Sequence, residues 1–442
     1  MPLTDQQIRA GAERMADDAT DFLRDLIRTP SMSGREERAV ALIHDRMTAL
    51  YFDEVKVDPF GNVWGRIGHG RRVVAFDAHV DTVDVGDRSL WQVDPFGAEI
   101  VDGVVYGRGA SDQKAGMAAL VYTGALLKQL AWDGDLTLWF VGSVLEEDCD
   151  GLCWHYILNE GLMRPDLVVL TEPTDLQVYR GQRGRMELEV TLGGLSCHGS
   201  APERGVNAIH RMAPVLQAIG RLGAELADDP FLGRGTITTS EIRSQAPSLC
   251  AVADACTIHL DRRLTFGETD ATAIAEIERI LAREAPPPAA TTDAGTAAGP
   301  GVAGTGAAAA DGAAARIAPS RVEVPLFQRP SHTGLVYPMR QYFPAWTLPE
   351  DDPLLAVALD ARRRALGEPG TAGKWTFSTN GVATCGLHGV PTIGFGPANE
   401  IHAHAPTDQC PVAHVGRAIA FYTTLVSLLA ARAGDWPGAK ER

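Results

Sequence analysis

Residues 73–84 of the chain read VVAFDAHVDTVD, and this stretch determines how the rest of the sequence is interpreted. Its valine-rich start predicts a buried strand, yet Asp77, His79 and Asp81 occupy alternate positions in it. Alternate residues of a strand lie on one face, so the three polar side chains share a face. Burial of carboxylates and an imidazole without partners is costly, so a compensating group is expected opposite them.

The composition excludes several classes of protein. The 442 residues predict two or three domains, and 45% of them are apolar. No run of about eighteen apolar residues appears, and the N-terminus lacks the basic-then-apolar pattern of a secretory signal. Seven cysteines without regular spacing fit reduced thiols, and a net charge of −16 opposes attraction to nucleic acid or anionic lipid. We therefore expect a cytoplasmic protein that binds neither nucleic acid nor membranes.

Two patterns of secondary structure divide the chain. In residues 1–182 and 339–442, apolar strand-like runs alternate with helix-like segments, which predicts an α/β domain with a mostly parallel sheet and helices on both faces. Residues 183–338 instead follow the order β-α-β-β-α-β, which predicts an inserted ferredoxin-like α+β domain. Within it, residues 285–319 are rich in Ala, Gly, Pro and Thr, which is typical of a mobile surface insertion.

Acidic residues and histidines lie at or after the ends of the predicted strands of the α/β domain, except Asp112, which precedes a helix. The candidates are His79, Asp112, Glu146, Glu147, Glu172 and His404. The carboxyl ends of the strands in such a sheet form a ligand crevice, so residues that are distant in sequence can meet there. Each residue alone has a structural alternative: Asp112 could cap a helix, and His402 competes with His404.

Three carboxylates and two imidazoles in one crevice would repel one another or change protonation. Two divalent cations resolve this conflict, with one imidazole and one carboxylate for each ion and a third carboxylate between them. Mixed nitrogen and oxygen ligands favour zinc and also accept cobalt or manganese. Asp81, on the same face as His79, can accept the other N–H of that imidazole and orient the ring.

The motifs HVDTV, GRGASDQKAG, EED, TEPT, SCHGSAPERGVNAI and HAHAPTD occur in this order between residues 79 and 408. Together they resemble the dinuclear zinc amidohydrolases, which include aminoacylase, carboxypeptidase G, acetylornithine deacetylase and succinyl-diaminopimelate desuccinylase. YRGQRGRMELEV and KWTFSTNGV resemble a less characterised branch of peptidases or deacylases. The resemblance implies a zinc-peptidase-like catalytic domain and an inserted lid through which two copies form a homodimer.

The resemblance also implies a role for each metal-site residue. One metal would be held by His79 and Glu172 and the other by Glu147 and His404, with Asp112 bridging the two. The triplet HAP at 404–406 matches the family better at His404 than at His402. Relatives carry a cis peptide after the bridging aspartate, so a cis bond between Asp112 and Gln113 is expected.

The same resemblance implies catalytic residues, and side-chain chemistry suggests substrate-binding ones. Glu146 would accept a proton from a water between the metals and pass it to the leaving amine. His198 would reach across the dimer to stabilise the oxyanion. Arg263 is the candidate for binding a substrate carboxylate, and Asn380 lies in the loop STNG, where many relatives carry an aspartate-containing substrate loop.

Three hypotheses for the function remain at this point. The sequence favours a metal-dependent hydrolase that cleaves an amide bond of a small N-acyl amino acid or dipeptide. A second hypothesis keeps the site but cleaves an N-carbamoyl or ureido group. A third is a non-catalytic, metal-stabilised binding module, against which the presence of Glu146 beside a complete ligand set argues. The triplet PTD at 406–408 and the STNG loop depart from the family pattern, so substrate choice is left open.

Overall fold

The computed structural model of the chain describes residues 3–286 and 317–433. Its helices are α1 (Asp5–Ile27), α2 (Glu37–Ala49), α3 (Ala115–Gln129), α4 (Leu152–Asn159), α5 (Ala208–Leu222), α6 (Asp270–Glu284), α7 (Pro353–Leu366) and α8 (Val412–Ala431). The strands of the first half are β1 (Glu54–Val57), β2 (Val63–Ile67), β3 (Arg72–His79), β4 (Glu99–Val101), β5 (Val104–Tyr106), β6 (Leu136–Ser143), β7 (Leu167–Leu170), β8 (Val178–Gln182) and β9 (Gly184–Gly193).

The remaining strands are shorter on average. They are β10 (Asp228–Asp229), β11 (Gly233–Arg234), β12 (Thr236–Gln245), β13 (Ala255–Leu264), β14 (Arg321–Glu323), β15 (Leu326–Phe327), β16 (Met339–Arg340), β17 (Tyr342–Phe343), β18 (Trp346–Thr347), β19 (Ala372–Trp375), β20 (Thr392–Gly394) and β21 (Gln409–Pro411). The chain divides into two compact units. The larger comprises residues 1–184, 327–339 and 343–442, and the smaller comprises residues 185–326 and 340–342.

The main sheet of the larger unit has the strand order β1-β2-β6-β3-β7-β20-β8-β18, with β19 beside β8. The four strands from β6 to β20 are parallel, whereas antiparallel strands extend the sheet on both sides. Parallel strands buried on both faces require continuous apolar runs, and all four residues of β7 are buried. The α/β class is confirmed, and the sheet as a whole is mixed.

Helices α1, α3 and α8 pack against one another in the core of the larger unit. Helix α8 is long and apolar enough, by length and composition, to cross a membrane, but most of its residues are buried among these neighbours. At Gly416 an added Cβ would lie 3.0 Å from the Cβ of Ala16, so the glycine lets α8 approach α1 closely. These contacts are those of a core helix.

The sheet of the smaller unit has five strands, four in the order β12-β13-β9-β14 and β17 also beside β9. Its elements follow one another as β9, α5, β12, β13, α6 and β14, which is the predicted β-α-β-β-α-β order and the strand arrangement of a ferredoxin-like domain. Alternate residues of β9 and β13 are buried, and they pack against apolar residues of α5 and α6. Most of the predicted insertion 285–319 lies outside the described residues.

The second boundary between the units lies earlier in the chain than the sequence suggested. Residues 327–339, expected in the inserted domain, belong to the larger unit. The reason is a set of contacts with the segment before β2: Thr333 Oγ1 donates to the carbonyl of Pro59, and His332 Nε2 lies 3.2 Å from the carbonyl of Gly61. Phe327 and Met339 are buried in the core of the same unit.

Candidate metal centre

His79 is the last residue of β3 and is almost fully buried. Its Nδ1 lies 3.0 Å from the backbone carbonyl of Asp81, which can only accept, so the ring proton is on Nδ1. Nε2 then faces the opposite way, 2.9 Å from Asp112 Oδ1 and 3.5 Å from Glu172 Oε1. The ring is therefore oriented as a metal-binding histidine requires.

Asp112 lies in a glycine-rich turn, Gly107–Lys114, that leads into α3. Its peptide bond to Gln113 is cis, as the resemblance implied. Asp408 supports this turn through its buried carboxylate. The carboxylate accepts hydrogen bonds from the backbone N–H groups of Gly109 and Ser111 at 2.7 Å, and it forms an ion pair with Arg108. Asp408 is the last residue of the triplet PTD, which departs from the family motif. This departure therefore affects the turn that carries Asp112.

Glu172 follows β7 and is brought close to Asp112 by the packing of α3 on the sheet. An added Cβ at Gly116, in the first turn of α3, would lie 2.2 Å from Thr171 Oγ1. Only glycine permits this approach of the helix to the residue before Glu172. The buried Glu172 side chain consequently reaches the Nε2 of His79.

Glu146 and Glu147 follow β6, and Asp81 anchors their backbone. One carboxylate oxygen of Asp81 accepts the N–H of Glu146 at 3.2 Å, and the other accepts the N–H of Glu147 at 3.1 Å. The sequence suggested that this carboxylate accepts the imidazole N–H of His79, but the carbonyl of Asp81 does so, and Oδ1 is 3.7 Å from the ring nitrogen. The prediction is corrected because the two glutamate N–H groups already occupy the carboxylate.

His404 approaches the centre from the loop after β20. Its Nε2 lies 2.8 Å from Glu147 Oε2 and 3.4 Å from Asp112 Oδ2. The competing His402 is bonded to Gln409, the first residue of β21, with 2.9 Å between the two Nε2 atoms. The geometry thus brings His404, and not His402, to the acidic residues.

Two clusters of candidate ligands share Asp112. The first contains His79, Asp112 and Glu172, and the second contains Asp112, Glu147 and His404. Within each cluster one potential ligand atom per residue lies within 4.8 Å of the others. Glu146 belongs to neither cluster, and its Oε2 is 4.0 Å from His79 Nε2.

The charges of the centre are strongly perturbed without a cation. Burial raises the pKa of both Glu146 and Glu172 well above its usual value, and neighbouring carboxylates add to the effect. Hydrogen bonds to Asp112 and Glu147 raise the pKa of His404 to about 10. Groups that a crowded site holds in unusual protonation states are typical of functional sites.

The donor set fits two divalent cations. Three carboxylate oxygens of the centre are buried without a hydrogen-bond partner among the described residues: Glu146 Oε1, Glu147 Oε1 and Glu172 Oε2. Buried polar atoms in native proteins are nearly always paired, so these oxygens indicate a missing group. Two imidazoles and three carboxylates suit zinc, cobalt or manganese.

Asn380 has a different role from the predicted one. Its side chain is almost fully buried, and its Oδ1 accepts from the backbone N–H of Gly151 at 3.1 Å. Its Nδ2 donates to Asp77 Oδ2 at 2.8 Å and to Ser143 Oγ at 3.1 Å. An amide occupied in this way cannot bind substrate, so the prediction is wrong. Asn380 partners Asp77, which answers part of the question raised by the polar face of β3.

Two further predicted residues lie in the smaller unit. Arg263, on β13, has its guanidinium paired with Asp261, with Nε 2.8 Å from Oδ1 and Nη2 3.0 Å from Oδ2. His198 is exposed, and it lies in a segment bridged to Ala251. Their roles toward substrate stay predictions.

Sequence reasoning missed Glu36 and Asn62. Both are fully buried, and each accepts a backbone N–H from the turn that carries Glu146 and Glu147. They lie in the segments SGREE and FGNVWG, where no spacing or composition marks them. Neither was distinguishable from an ordinary loop residue.

Comparison with known proteins agrees with this geometry. The model of peptidase family M20/M25/M40 matches residues 75–428. Protein YgeY of Escherichia coli K12, whose own description is uncharacterized, is 45% identical over 408 residues, which are 92% of this chain and 93% of that protein. Succinyl-diaminopimelate desuccinylase of Cereibacter sphaeroides is 31% identical over 253 residues, which are 53% of this chain and 66% of that enzyme.

Solved structures share the fold at low sequence identity. The di-peptidase Dug1p of Saccharomyces cerevisiae superimposes with a TM-score of 0.67 at 11% identity, covering 98% of this chain and 99% of that one. The Bacillus subtilis protein YXEP, described as a dinuclear metal binding peptidase, superimposes with a TM-score of 0.65 at 13% identity. The match covers 95% of this chain and 99% of that one. The family match, over most of the chain and across the whole candidate centre, shows that the chain belongs to peptidase family M20/M25/M40 and is a dinuclear metal-dependent hydrolase.

Proposed function

We propose that the chain hydrolyses an amide bond of a small N-acyl amino acid or dipeptide. The observation that carries the proposal is the position of Glu146, a buried carboxylate that lies beside two complete ligand clusters and belongs to neither. Relatives described as desuccinylases and a structural neighbour described as a dipeptidase support this substrate class. Zinc is the proposed metal, with cobalt or manganese as alternatives.

The side chains of the centre divide the work between them. His79, Glu172, Asp112, Glu147 and His404 would hold the metal pair. Bound divalent ions supply Lewis acidity for the scissile carbonyl and lower the pKa of water. Glu146 accepts the proton of the attacking water and delivers it to the leaving amine. Asp81 keeps Glu146 and Glu147 in place through their backbone N–H groups.

His198 is proposed to stabilise the oxyanion from a second copy of the chain. Its Nδ1 accepts the backbone N–H of Ser200 at 3.1 Å, so the proton of the neutral ring is on Nε2, where it can be donated. Strand β12, at the edge of its sheet and mostly exposed, offers a surface for that second copy. We expect His198→Ala to lower kcat about 100-fold. An unchanged kcat would remove His198 from this role.

A substrate panel with a matched variant tests the function. Zinc-loaded protein is assayed against N-acetyl, N-succinyl and N-carbamoyl amino acids and dipeptides. Glu146→Gln keeps the shape of the side chain and should reduce kcat at least about 1,000-fold while two metal ions remain bound, because only proton transfer is lost. Glu99→Gln, on the exposed strand β4, is the control and should be fully active.

Either of two results would contradict the proposal. Full activity of Glu146→Gln would remove the glutamate from the role of general base. Preference for N-carbamoyl substrates over every amide would support the ureido alternative instead. Metal content measured by elemental analysis separates a lost base from a lost metal.

A further inference from the structure

The turn that carries Glu146 and Glu147 is held in an unusual way. Four consecutive backbone N–H groups, those of residues 144–147, donate to buried side-chain oxygens from three other segments. Val144 donates to Asn62 Oδ1 at 3.0 Å, and Leu145 donates to Glu36 Oε1 at 3.2 Å. The next two N–H groups donate to Asp81. We call residues 144–147 the anchored turn.

Glu36 binds the residue of the anchored turn that has the least favourable backbone conformation. Leu145 has a φ of 60°, in the left-handed region that a leucine rarely adopts. A residue in this region persists only where its surroundings fix it. The Glu36 bond fixes Leu145 directly before the proposed general base.

The acceptor oxygen of Glu36 is itself held in place. Glu36 is fully buried and directly precedes α2. Its Oε1 also accepts the backbone N–H of Gly34 at 2.9 Å, so it has two donors from different segments. Among the described residues its Oε2 has no partner. The carboxyl group is thus linked to the centre through the backbone N–H of Leu145.

We propose that Glu36 is a positioning residue of the hydrolase, which aims Glu146 and Glu147 by holding Leu145 in its left-handed conformation. This inference rests on the proposed role of Glu146. Burial raises the pKa of Glu36 to about 8, and the charge of Asp81 adds to the shift. Both hydrogen bonds of Oε1 depend on the position of this oxygen, and an uncharged acceptor in the same place can make them.

Three substitutions separate the position of the oxygen from its charge. Glu36→Gln keeps an acceptor at the same distance and cannot ionise. Glu36→Asp can still ionise and withdraws the acceptor by one methylene. Glu36→Met removes the acceptor and keeps the length. Asp352→Leu is the matched control, because Asp352 is a buried carboxylate that accepts a backbone N–H, from Leu354 at 2.8 Å, at the start of α7.

Two readouts are measured on the zinc-loaded protein. We expect kcat to fall about 10- to 100-fold in Glu36→Asp and Glu36→Met with KM changed less than about threefold, because a small misplacement of a catalytic group slows the chemical step. The amides of residues 144–147 should exchange faster with deuterium in both variants. Glu36→Gln should keep kcat within about threefold and retain amide protection, as should Asp352→Leu.

The reverse pattern would overturn the proposal. An active Glu36→Asp beside an impaired Glu36→Gln would show that charge is what counts. Unchanged kcat and unchanged exchange in Glu36→Asp would show that Leu145 needs no anchor. The exchange measurement does not depend on substrate, so it tests the anchor even where an active Glu146→Gln has already refuted the proposed chemistry.

Discussion

The two ligand clusters that share Asp112 differ in their access to solvent. In the first, the side chains of His79 and Glu172 are 1% and 3% exposed. In the second, the side chain of Glu147 is 6% exposed, but that of His404 is 54% exposed. The first cluster is therefore closed to solvent, and the second is open to solvent on the side of His404.

This difference indicates different roles for the two clusters. His79 comes from a central strand of the sheet and has its ring fixed by a backbone carbonyl, so little reorganisation is needed to bind a cation. His404 comes from a loop and itself has a left-handed φ of 59°. Sites on regular elements are held more accurately than sites on loops. We infer that the closed cluster holds its ion more tightly and that substrate approaches from the side of His404.

Substitution of His79 should affect metal binding more than substitution of His404. His79→Ala removes a buried ligand and leaves Glu172 facing an empty, desolvated space, so the closed site should lose metal affinity at least about 100-fold. His404→Ala leaves a gap that water can fill, so the closed cluster is not disturbed. The chain should therefore keep the ion of the closed cluster and lose only the ion of the open one. Metal content after gel filtration against a chelator measures both variants.

His402 provides the control for this prediction. His402→Ala, from the same loop as His404, should keep both ions, because His402 bonds to Gln409 and not to the acidic residues. Equal loss of both ions from His79→Ala and His404→Ala would mean that the two sites fill only together. In that case exposure would not rank them.

The fold was predictable where apolar patterns are long. The alternating strand-like and helix-like runs predicted the α/β domain, and its helix Ala115–Gln129 is apolar and buried along most of its length. The return of residues 327–339 to the larger unit was not predictable. It depends on bonds between His332, Thr333 and a loop some 270 residues earlier, and no local pattern records such contacts.

The candidate ligands could be found from sequence because each follows or precedes a regular element at the same edge of the sheet. Their anchors could not. The bond from Leu145 to Glu36 spans 109 residues and the bond from Val144 to Asn62 spans 82, and both involve a backbone donor, which every residue possesses. For Asn380 the error was to extend a family position to a side chain whose hydrogen bonds are all internal.

The charge of His404 should have a smaller effect, on stability, that depends on pH. In metal-free protein, the pKa of His404 is raised to about 10 by Asp112 and Glu147. A folded-state pKa above the unfolded value gives stability that is fully present below about pH 6.5 and is lost as pH rises through about 10. His404→Gln should therefore lower the Tm of metal-free protein by a few degrees near pH 6 and hardly at all near pH 10, measured by thermal unfolding with a chelator present.

His402→Gln is the matched control for that experiment. Burial lowers the pKa of His402, so the stability associated with this ring is present at higher pH and is lost as pH falls. Its variant should not destabilise the metal-free protein near pH 6. If His404→Gln gave the same small shift at both pH values, His404 would not be charged between the two carboxylates. The open cluster would then be an uncharged loop contact rather than a site poised to exchange a proton for a cation.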